Sequence, residues 1–205
     1  MKIFAAGFNY EAYNKEAPRT LYNREEPLIF TKADSALLRG GRPVFLPDDL
    51  GPVDGEAELV VRICRLGKSI PQRFASRYYD AVTCGVDFTA RELWRRQVSL
   101  GQPWTLSKSF DGAAVIGDWV PLADLGDVGD IRFGLDINGV AAQRGHTALM
   151  IHHVDALVAY VSRWFTLRTG DILYTGSPVP PVAVSVDDHL TGFINERKVL
   201  EFNVK

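Results

Sequence analysis

The feature of this sequence that most restricts its fold is a series of short apolar runs, separated from one another by Gly, Pro or Asp. Val, Ile and Phe are frequent in these runs and alternate with polar residues, which is typical of β-strands. The predicted strands are residues 28–32, 43–47, 57–66, 113–122, 132–139, 170–177, 182–186 and 200–205. In addition, the dipeptide Asn138-Gly139 predicts a tight β-hairpin turn.

Three segments are predicted to be helical. The first covers about residues 71–81, and the third covers about residues 154–167, with an apolar stripe along one side. The second begins at a capping box, with Thr89 at the N-cap and Glu92 at position N3, and stops at Gly101. Because strands and helices do not alternate regularly, the pattern argues against a doubly wound parallel sheet. We predict an α+β fold that is predominantly β, a barrel-like roll or sandwich with helices packed outside.

Length and charge restrict the class of protein. The chain has 205 residues, 46% of them hydrophobic and 23% charged, which suits one globular domain that buries about 70% of its unfolded surface. Its 23 basic and 25 acidic residues give a net charge of −2, which argues against a nucleic-acid binder with a basic face. No apolar run approaches the ~20 residues of a membrane span, and no signal peptide is predicted. Two cysteines indicate free thiols and a cytoplasmic location rather than a disulfide framework.

Residues 8–27 differ from the rest of the chain, because they are polar, rich in Tyr and Glu, and interrupted by Pro18. We expect this segment to be a loop or a mobile arm that lies before the core. Long loops of this kind often carry functional residues.

Two glutamates stand at the start of the predicted strand that continues into Leu59. Because side chains alternate along a strand, Glu56 and Glu58 point to the same face, about 6.6 Å apart. Asp87, just before the second predicted helix, is a third carboxylate that can join them. Two interpretations remain open: a solvated strand end with an ordinary turn residue, or oxygen ligands for a hard divalent cation.

Two further residues are candidates for substrate contacts. Lys108 follows Trp104 and Leu106 and precedes Phe110, so its ammonium group is either directed inward or exposed on a buried stem. Thr175 ends a strand in a Gly/Pro turn, which either holds a small anion or is an ordinary turn.

Several motifs follow one another along the chain: Gly7-x-Asn9-Tyr10, Glu26-Pro27-Leu28-Ile29-Phe30-x-Lys32, Glu56-x-Glu58-Leu59, Asp87-x-Thr89-Ala90-Arg91, Trp104-x-x-x-Lys108-Ser109-Phe110-Asp111, Asn138-Gly139 and Gly170-Asp171-Ile172-Leu173-x-Thr175-Gly176-x-Pro178. In this order, they resemble the fumarylacetoacetate hydrolase superfamily, in particular its small acylpyruvase and oxaloacetate decarboxylase members. The resemblance runs from about Gly7 to the C-terminus.

The resemblance implies a mixed β-roll with a few peripheral helices over residues 1–205, a homodimer, and small keto acid substrates. It implies a Mg²⁺ or Mn²⁺ ion, with Ca²⁺ as a substitute in crystals, held by Glu56, Glu58 and Asp87. Lys108 is then expected to stabilise an enolate or oxyanion. Arg91 and Thr175 are expected to bind the substrate carboxylate.

The chain departs from the family pattern at the residues that activate water. Relatives have a His–Glu pair in the N-terminal arm, whereas here Tyr13 takes the histidine position and Glu16 is retained. A phenol is a poor general base at neutral pH. On the second predicted helix, Trp94 stands where Gln is common, at a position expected to contact the substrate.

Three functions therefore remain open. The first is hydrolysis of acylpyruvates or decarboxylation of oxaloacetate through a metal-stabilised enolate. The second is keto–enol tautomerisation of small dicarboxylates, which needs no water nucleophile and is less affected by Tyr13. The third is a non-catalytic protein that binds a metal and a dicarboxylate.

Overall fold

The computed structural model describes residues 1–14 and 25–205. Within them the strands are β1 (Ile3–Gly7), β2 (Leu28–Lys32), β3 (Leu37–Leu38), β4 (Val53–Ile63), β5 (Tyr79–Ala90), β6 (Ala114–Ile116), β7 (Val120–Pro121), β8 (Arg132–Ile137), β9 (Val140–His146), β10 (Ile172–Tyr174), β11 (Val182–Val184), β12 (His189–Ile194) and β13 (Arg197–Asn203). The α-helices are α1 (Glu11–Asn14), α2 (Arg91–Ser99), α3 (Thr105–Lys108) and α4 (Val154–Trp164). Short 3₁₀ helices cover Asp34–Ala36, Asp48–Leu50, Gln72–Tyr78, Leu122–Asp124 and Thr147–Leu149.

The strands form two sheets, and the larger one is a curled half-barrel. Its order is β2-β1-β10-β4-β5-β6-β3, with β11 paired to β4 and β7 paired to β5. The sheet is mixed, because β1 pairs with β10 and β3 with β6 in parallel while the other neighbours are antiparallel. The second sheet has the order β13-β12-β8-β9. The predicted fold class, predominantly β with a few peripheral helices, is confirmed.

The pair β4–β5 is the centre of the large sheet and has two different faces. Cys84 and Phe88 lie on the face covered by the smaller sheet, where Cys84 Sγ contacts the Gly134 carbonyl oxygen and Phe88 contacts the ring of Phe202. This face is an apolar core. Because side chains alternate along a strand, Asp87 lies on the opposite face, towards α2 and α3.

The Asn138-Gly139 hairpin is confirmed. These residues join β8 to β9, and their φ values are +53° and +76°. Positive φ at both central positions matches the right-handed twist of the strands that the turn connects.

Several local predictions are wrong in their bounds or type. The capping box does not form, since Ala90 is the N-cap and Thr89 is the penultimate residue of β5. Residues 72–78 form a 3₁₀ helix, after which β5 starts at Tyr79, and this strand was not predicted. In the predicted strand 43–47, Val44 forms an isolated bridge with Val204 and the Leu46 amide donates to the Lys205 carbonyl oxygen, but no strand is formed.

The predicted arm, residues 8–27, is described only in part. Tyr10 forms a bridge with Met150, and Glu11–Asn14 form the helix α1, while residues 15–24 lie outside the described residues. In the described part of the chain, no helix has both the length and the apolar character needed to cross a lipid bilayer.

Candidate active site

Three carboxylates lie on one face of β4 and β5. Glu56 is directly opposite Asp87 in the antiparallel register, and Glu58 is two residues further along the same face. The exposed fractions of Glu56, Glu58 and Asp87 are 4%, 3% and 1%. The structure therefore rules out a solvated strand end, and it places Asp87 inside β5 rather than in a turn.

Lys108 lies between two of these carboxylates. Its Nζ is 2.5 Å from Glu56 Oε2 and 3.0 Å from Asp87 Oδ2, and its side chain is buried. Burial opposes the charge, but Asp87 and Glu56 outweigh it and raise the pKa of Lys108. Lys108 is thus an inward-directed ammonium group that remains charged at neutral pH, and the alternative of an exposed surface lysine is wrong.

The pKa values of Glu56 and Glu58 shift in opposite directions although both side chains are buried. Burial opposes ionisation of Glu56, but Lys108 and Arg91 outweigh it and lower its pKa to about 2. For Glu58, burial, Asp87 and Glu56 together raise the pKa well above its usual value, although the Gly176 amide donates a 2.5 Å hydrogen bond to Oε2. Glu58 is therefore the carboxylate that most lacks a compensating cation.

The three carboxylates have the chemistry of a hard-cation site. Their donors are all oxygen, they line one cavity, and no lysine or arginine forms an ion pair with Glu58 among the described residues. However, within residues 1–14 and 25–205 no three acidic, His or Cys side chains are already arranged as metal ligands. The Lys108 ammonium group lies between Glu56 and Asp87.

The cavity beside this cluster has an aromatic wall. It is small, about 20 Å³, which is room for roughly one water molecule. Its lining includes the three carboxylates, Lys108, Tyr13, Arg91, Trp94, Phe30 and Trp104. The Trp104 ring contacts Phe30 and Trp94, with 5.7 Å between ring centroids in both pairs. Such edge-to-face contacts fix the orientation of the rings.

Two residues that line the cavity each have a buried hydrogen-bond donor without a partner in the described part of the chain: Arg91 Nη2 and Trp94 Nε1. The guanidinium group of Arg91 is held in place because its Nε donates to Asp54 Oδ2 at 2.6 Å. It also lies over the ring of Trp94, 5.3 Å from the centroid. Buried donors without partners are costly, so these two are suited to a ligand that brings acceptor oxygens.

Tyr13 lies against the carboxylate cluster. Its hydroxyl donates to Glu56 Oε1 at 2.7 Å, while the Thr89 hydroxyl donates to Glu56 Oε2 at the same distance. Burial, Glu56 and its hydrogen bond raise the pKa of Tyr13 far above the usual range of a phenol. Tyr13 is thus a proton donor that orients Glu56. Glu16 lies outside the described residues.

Thr175 is not directed into the cavity. It is fully buried, and its hydroxyl and its amide both donate to the Leu59 carbonyl oxygen. Ser177 is the residue of this turn that lines the cavity. The substrate-binding role of Thr175 stays a prediction, and its observed role is to join β10 to β4.

Asn9 and Lys32 hold the site together, although the sequence motifs that contain them predict no role for either residue. Asn9 is 2% exposed, and its side-chain amide donates to the carbonyl oxygens of His152 and Thr175. Lys32 is fully buried at the end of β2, within reach of Asp87. A lysine that ends an otherwise apolar strand is a signal that sequence analysis can use.

We expect Gly176→Ala to destabilise the protein by about 2–3 kcal/mol. The φ of Gly176 is +101°, and an added Cβ meets Asn9 Cβ at 2.7 Å. Gly139→Ala is the matched control, since Gly139 also has a positive φ of +76° but nothing within 4 Å, and we expect it to cost about 1 kcal/mol. Urea unfolding measures both, and equal losses would show that the contact with Asn9 is unimportant.

Known proteins with similar sequences identify the family of this chain. The family model described as fumarylacetoacetate (FAA) hydrolase C-terminal matches residues 2–205. The chain is 32% identical over 191 residues to an oxaloacetate tautomerase of Escherichia coli (strain K12), and the aligned region covers 93% of this chain and 86% of the relative. It is also 32% identical over 203 residues to a mitochondrial oxaloacetate tautomerase of Rattus norvegicus, over 99% of this chain and 91% of the relative.

The fold is also similar to that of a solved enzyme structure. A fumarylpyruvate hydrolase from Pseudomonas aeruginosa, crystallised in complex with Mn²⁺ and pyruvate, matches with a TM-score of 0.89 at 28% identity. The match covers 100% of this chain and 90% of that one. The predicted resemblance is confirmed, and the chain is an enzyme of the fumarylacetoacetate hydrolase family.

Proposed function

We propose that this enzyme uses a divalent cation to interconvert the keto and enol forms of small keto dicarboxylates of the oxaloacetate type. The observation that carries the proposal is the pairing of the Lys108–carboxylate cluster with two unpartnered donors, Arg91 Nη2 and Trp94 Nε1, at one cavity. The similarity to two oxaloacetate tautomerases over more than 90% of the chain supports it.

In this proposal Glu56, Glu58 and Asp87 hold Mg²⁺ or Mn²⁺. When bound, the cation polarises the substrate carbonyl and stabilises the enolate. Their oxygen-only donor set and the uncompensated Glu58 support the assignment, as does the Mn²⁺ in the fumarylpyruvate hydrolase structure. The homodimer implied by the family resemblance stays a prediction.

Lys108 and Arg91 have separate tasks. Lys108 Nζ holds a positive charge at the carboxylate cluster, where it stabilises the negative charge that develops on the enolate oxygen. At the aromatic side of the cavity, Arg91 Nη2 and Trp94 Nε1 donate to the carboxylate remote from the reacting carbonyl. The aromatic wall excludes water, which strengthens both interactions.

Tyr13 favours tautomerisation over hydrolysis. Tautomerisation moves a proton between carbon and oxygen and needs no activated water. Tyr13 donates to Glu56 and has a raised pKa, so it does not act as the base for a water molecule. A second candidate, acylpyruvate hydrolysis, is favoured by the similarity to a fumarylpyruvate hydrolase, and it requires another base such as Glu16 or Glu11.

The experiment uses the purified enzyme with Mn²⁺ and three readouts. Loss of enol absorbance after mixing with enol-oxaloacetate measures tautomerisation, CO₂ release measures decarboxylation, and loss of acetylpyruvate measures hydrolysis. We expect accelerated enol loss without matching CO₂ release or acetylpyruvate loss. Rapid acetylpyruvate loss would replace the proposal with the hydrolase, and dicarboxylate binding without any turnover would indicate a non-catalytic protein.

We expect Trp94→Phe to weaken the binding of dicarboxylates selectively. Phenylalanine keeps an aromatic contact with Trp104 but removes the indole N–H, so L-malate binds about five- to tenfold more weakly in the presence of Mn²⁺. The matched ligand 2-hydroxybutyrate has a methyl group in place of the remote carboxylate, and its affinity stays within about twofold. Calorimetry measures both ligands, and an equal loss for both contradicts the assignment.

A further inference from the structure

Lys32 is a charged side chain to which the proposed function gives no role. It ends β2, and its ammonium group is completely enclosed by protein, with 0% of the side chain exposed. Burial opposes the charge of such a group and lowers the pKa of Lys32, while Asp87 acts against that shift, so the charge depends on the partners of the side chain. Its partners therefore indicate what it does.

Those partners belong to two of the elements that build the site. Lys32 Nζ lies 2.6 Å from Asp87 Oδ1 on β5, as an ion pair without the angle of a hydrogen bond. It also donates to the carbonyl oxygen of Lys108, at the end of α3, and to that of Ala113 at 2.9 Å. Lys32 thus connects the strand that carries Asp87 to the single helical turn that carries Lys108.

The two lysines contact opposite oxygens of the same carboxylate. Lys32 holds Asp87 Oδ1, whereas Lys108 contacts Oδ2. Lys108 lines the cavity and Lys32 does not, so Lys32 holds Oδ1 from the side away from the cavity. Because α3 is a single turn, the hydrogen bond from Lys32 to the Lys108 carbonyl also restricts where the Lys108 side chain begins.

We propose that Lys32 is a positioning residue, which sets the orientation of Asp87 and the placement of Lys108 without touching the substrate. The inference rests on the proposed role of Asp87 as a cation ligand. Partners that orient a metal ligand from behind affect metal affinity or activity by about 10- to 100-fold when they are replaced.

Three methionine variants separate positioning from simple charge compensation. Lys108→Met removes an ammonium group from the space between Glu56 and Asp87, so it relieves competition and Mn²⁺ binds as tightly as in the wild type or more tightly. If Lys32 served only to balance charge, Lys32→Met would also tighten Mn²⁺ binding. We expect the opposite, an approximately tenfold loss of Mn²⁺ affinity and a loss of kcat of about thirtyfold or more.

Lys2→Met is the matched control. Lys2 also pairs with a buried aspartate, since its Nζ lies 2.7 Å from Asp171 Oδ2, but this pair lies outside the cavity. Both variants are expected to lower the melting temperature, whereas only Lys32→Met changes Mn²⁺ affinity and kcat. Calorimetry, turnover and thermal unfolding of the full chain give the three readouts. Unchanged or tighter Mn²⁺ binding by Lys32→Met overturns the proposal.

A measurement on the metal-free protein tests the positioning role of Lys32 independently of the proposed cation-dependent function. The near-ultraviolet circular dichroism of the Trp94–Trp104 pair reports the position of α3, because Trp104 lies just before that helix. We expect Lys32→Met to change this signal and Lys2→Met to leave it unchanged. If the wild type binds no Mn²⁺, the cation-dependent function is wrong, and an unchanged signal in Lys32→Met then also overturns the placement of Lys108.

Discussion

Glu58→Gln is expected to reduce Mn²⁺ affinity by at least about a hundredfold and to remove the enzymatic activity. Glutamine has nearly the shape of glutamate, and its amide oxygen can still accept the hydrogen bond from Gly176. What it loses is the negative charge, which Glu56 and Asp87 already oppose in the metal-free protein. The effect on the cation is therefore electrostatic rather than a consequence of altered packing.

Glu58→Gln is also expected to change how the stability of the metal-free protein depends on pH. Because burial, Asp87 and Glu56 raise the pKa of Glu58, the folded protein keeps a proton that the unfolded chain releases at lower pH. At pH values between the pKa of Glu58 in the unfolded chain and its higher pKa in the folded protein, and at pH values above both, the wild type is less stable than a variant with a neutral side chain at this position. Below both pKa values this difference disappears. We therefore expect the metal-free variant to be at least as stable as the wild type at neutral and alkaline pH, with no gain at strongly acidic pH.

Two measurements test both parts. Calorimetry gives the Mn²⁺ affinity, and thermal unfolding across pH, with and without Mn²⁺, gives the stability. Glu92→Gln on the exposed side of α2 is the control, and it should bind Mn²⁺ as the wild type does. If Glu58→Gln binds Mn²⁺ with unchanged affinity, the metal assignment fails.

Lys108→Met is expected to lower kcat by about 10²–10³-fold and to change KM much less. Methionine keeps an unbranched apolar stem in the site, but it removes the charge that faces Glu56 and Asp87. A preorganised charge that acts on a developing oxyanion contributes to the transition state more than to ground-state binding, and losses of this size are typical when such a group is removed.

The measurement is steady-state turnover of enol-oxaloacetate with saturating Mn²⁺. Mn²⁺ affinity measured in parallel distinguishes this variant from Glu58→Gln, because the cation should still bind when Lys108 is absent. A large rise in KM with unchanged kcat would instead assign Lys108 to substrate binding. Unchanged kcat and KM would remove it from the mechanism.

The sequence alone predicts the β-rich class and one part of the site. Short apolar runs separated by Gly, Pro and Asp predict strands because this pattern is local, and the Asn138-Gly139 turn follows from its own backbone preferences. The placement of Glu56 and Glu58 on one face needs only the twofold alternation within β4. Each of these statements depends on residues close together in the chain.

Contacts across the chain determine the rest. Asp87 reaches Glu56 because β5 pairs with β4 in a particular register, and that register depends on packing between distant residues. For the same reason Thr89, which looks like a helix cap, instead lies in a strand and donates to Glu56.

The sequence by itself thus determined the fold class and the acidic face of one strand. The tertiary structure decided that this face is buried, that Lys108 lies between two of its carboxylates, and that Lys32 supports Asp87 from behind. Burial and pairing are properties of the assembled sheet, because the energy of a charge depends on which groups from other strands surround it.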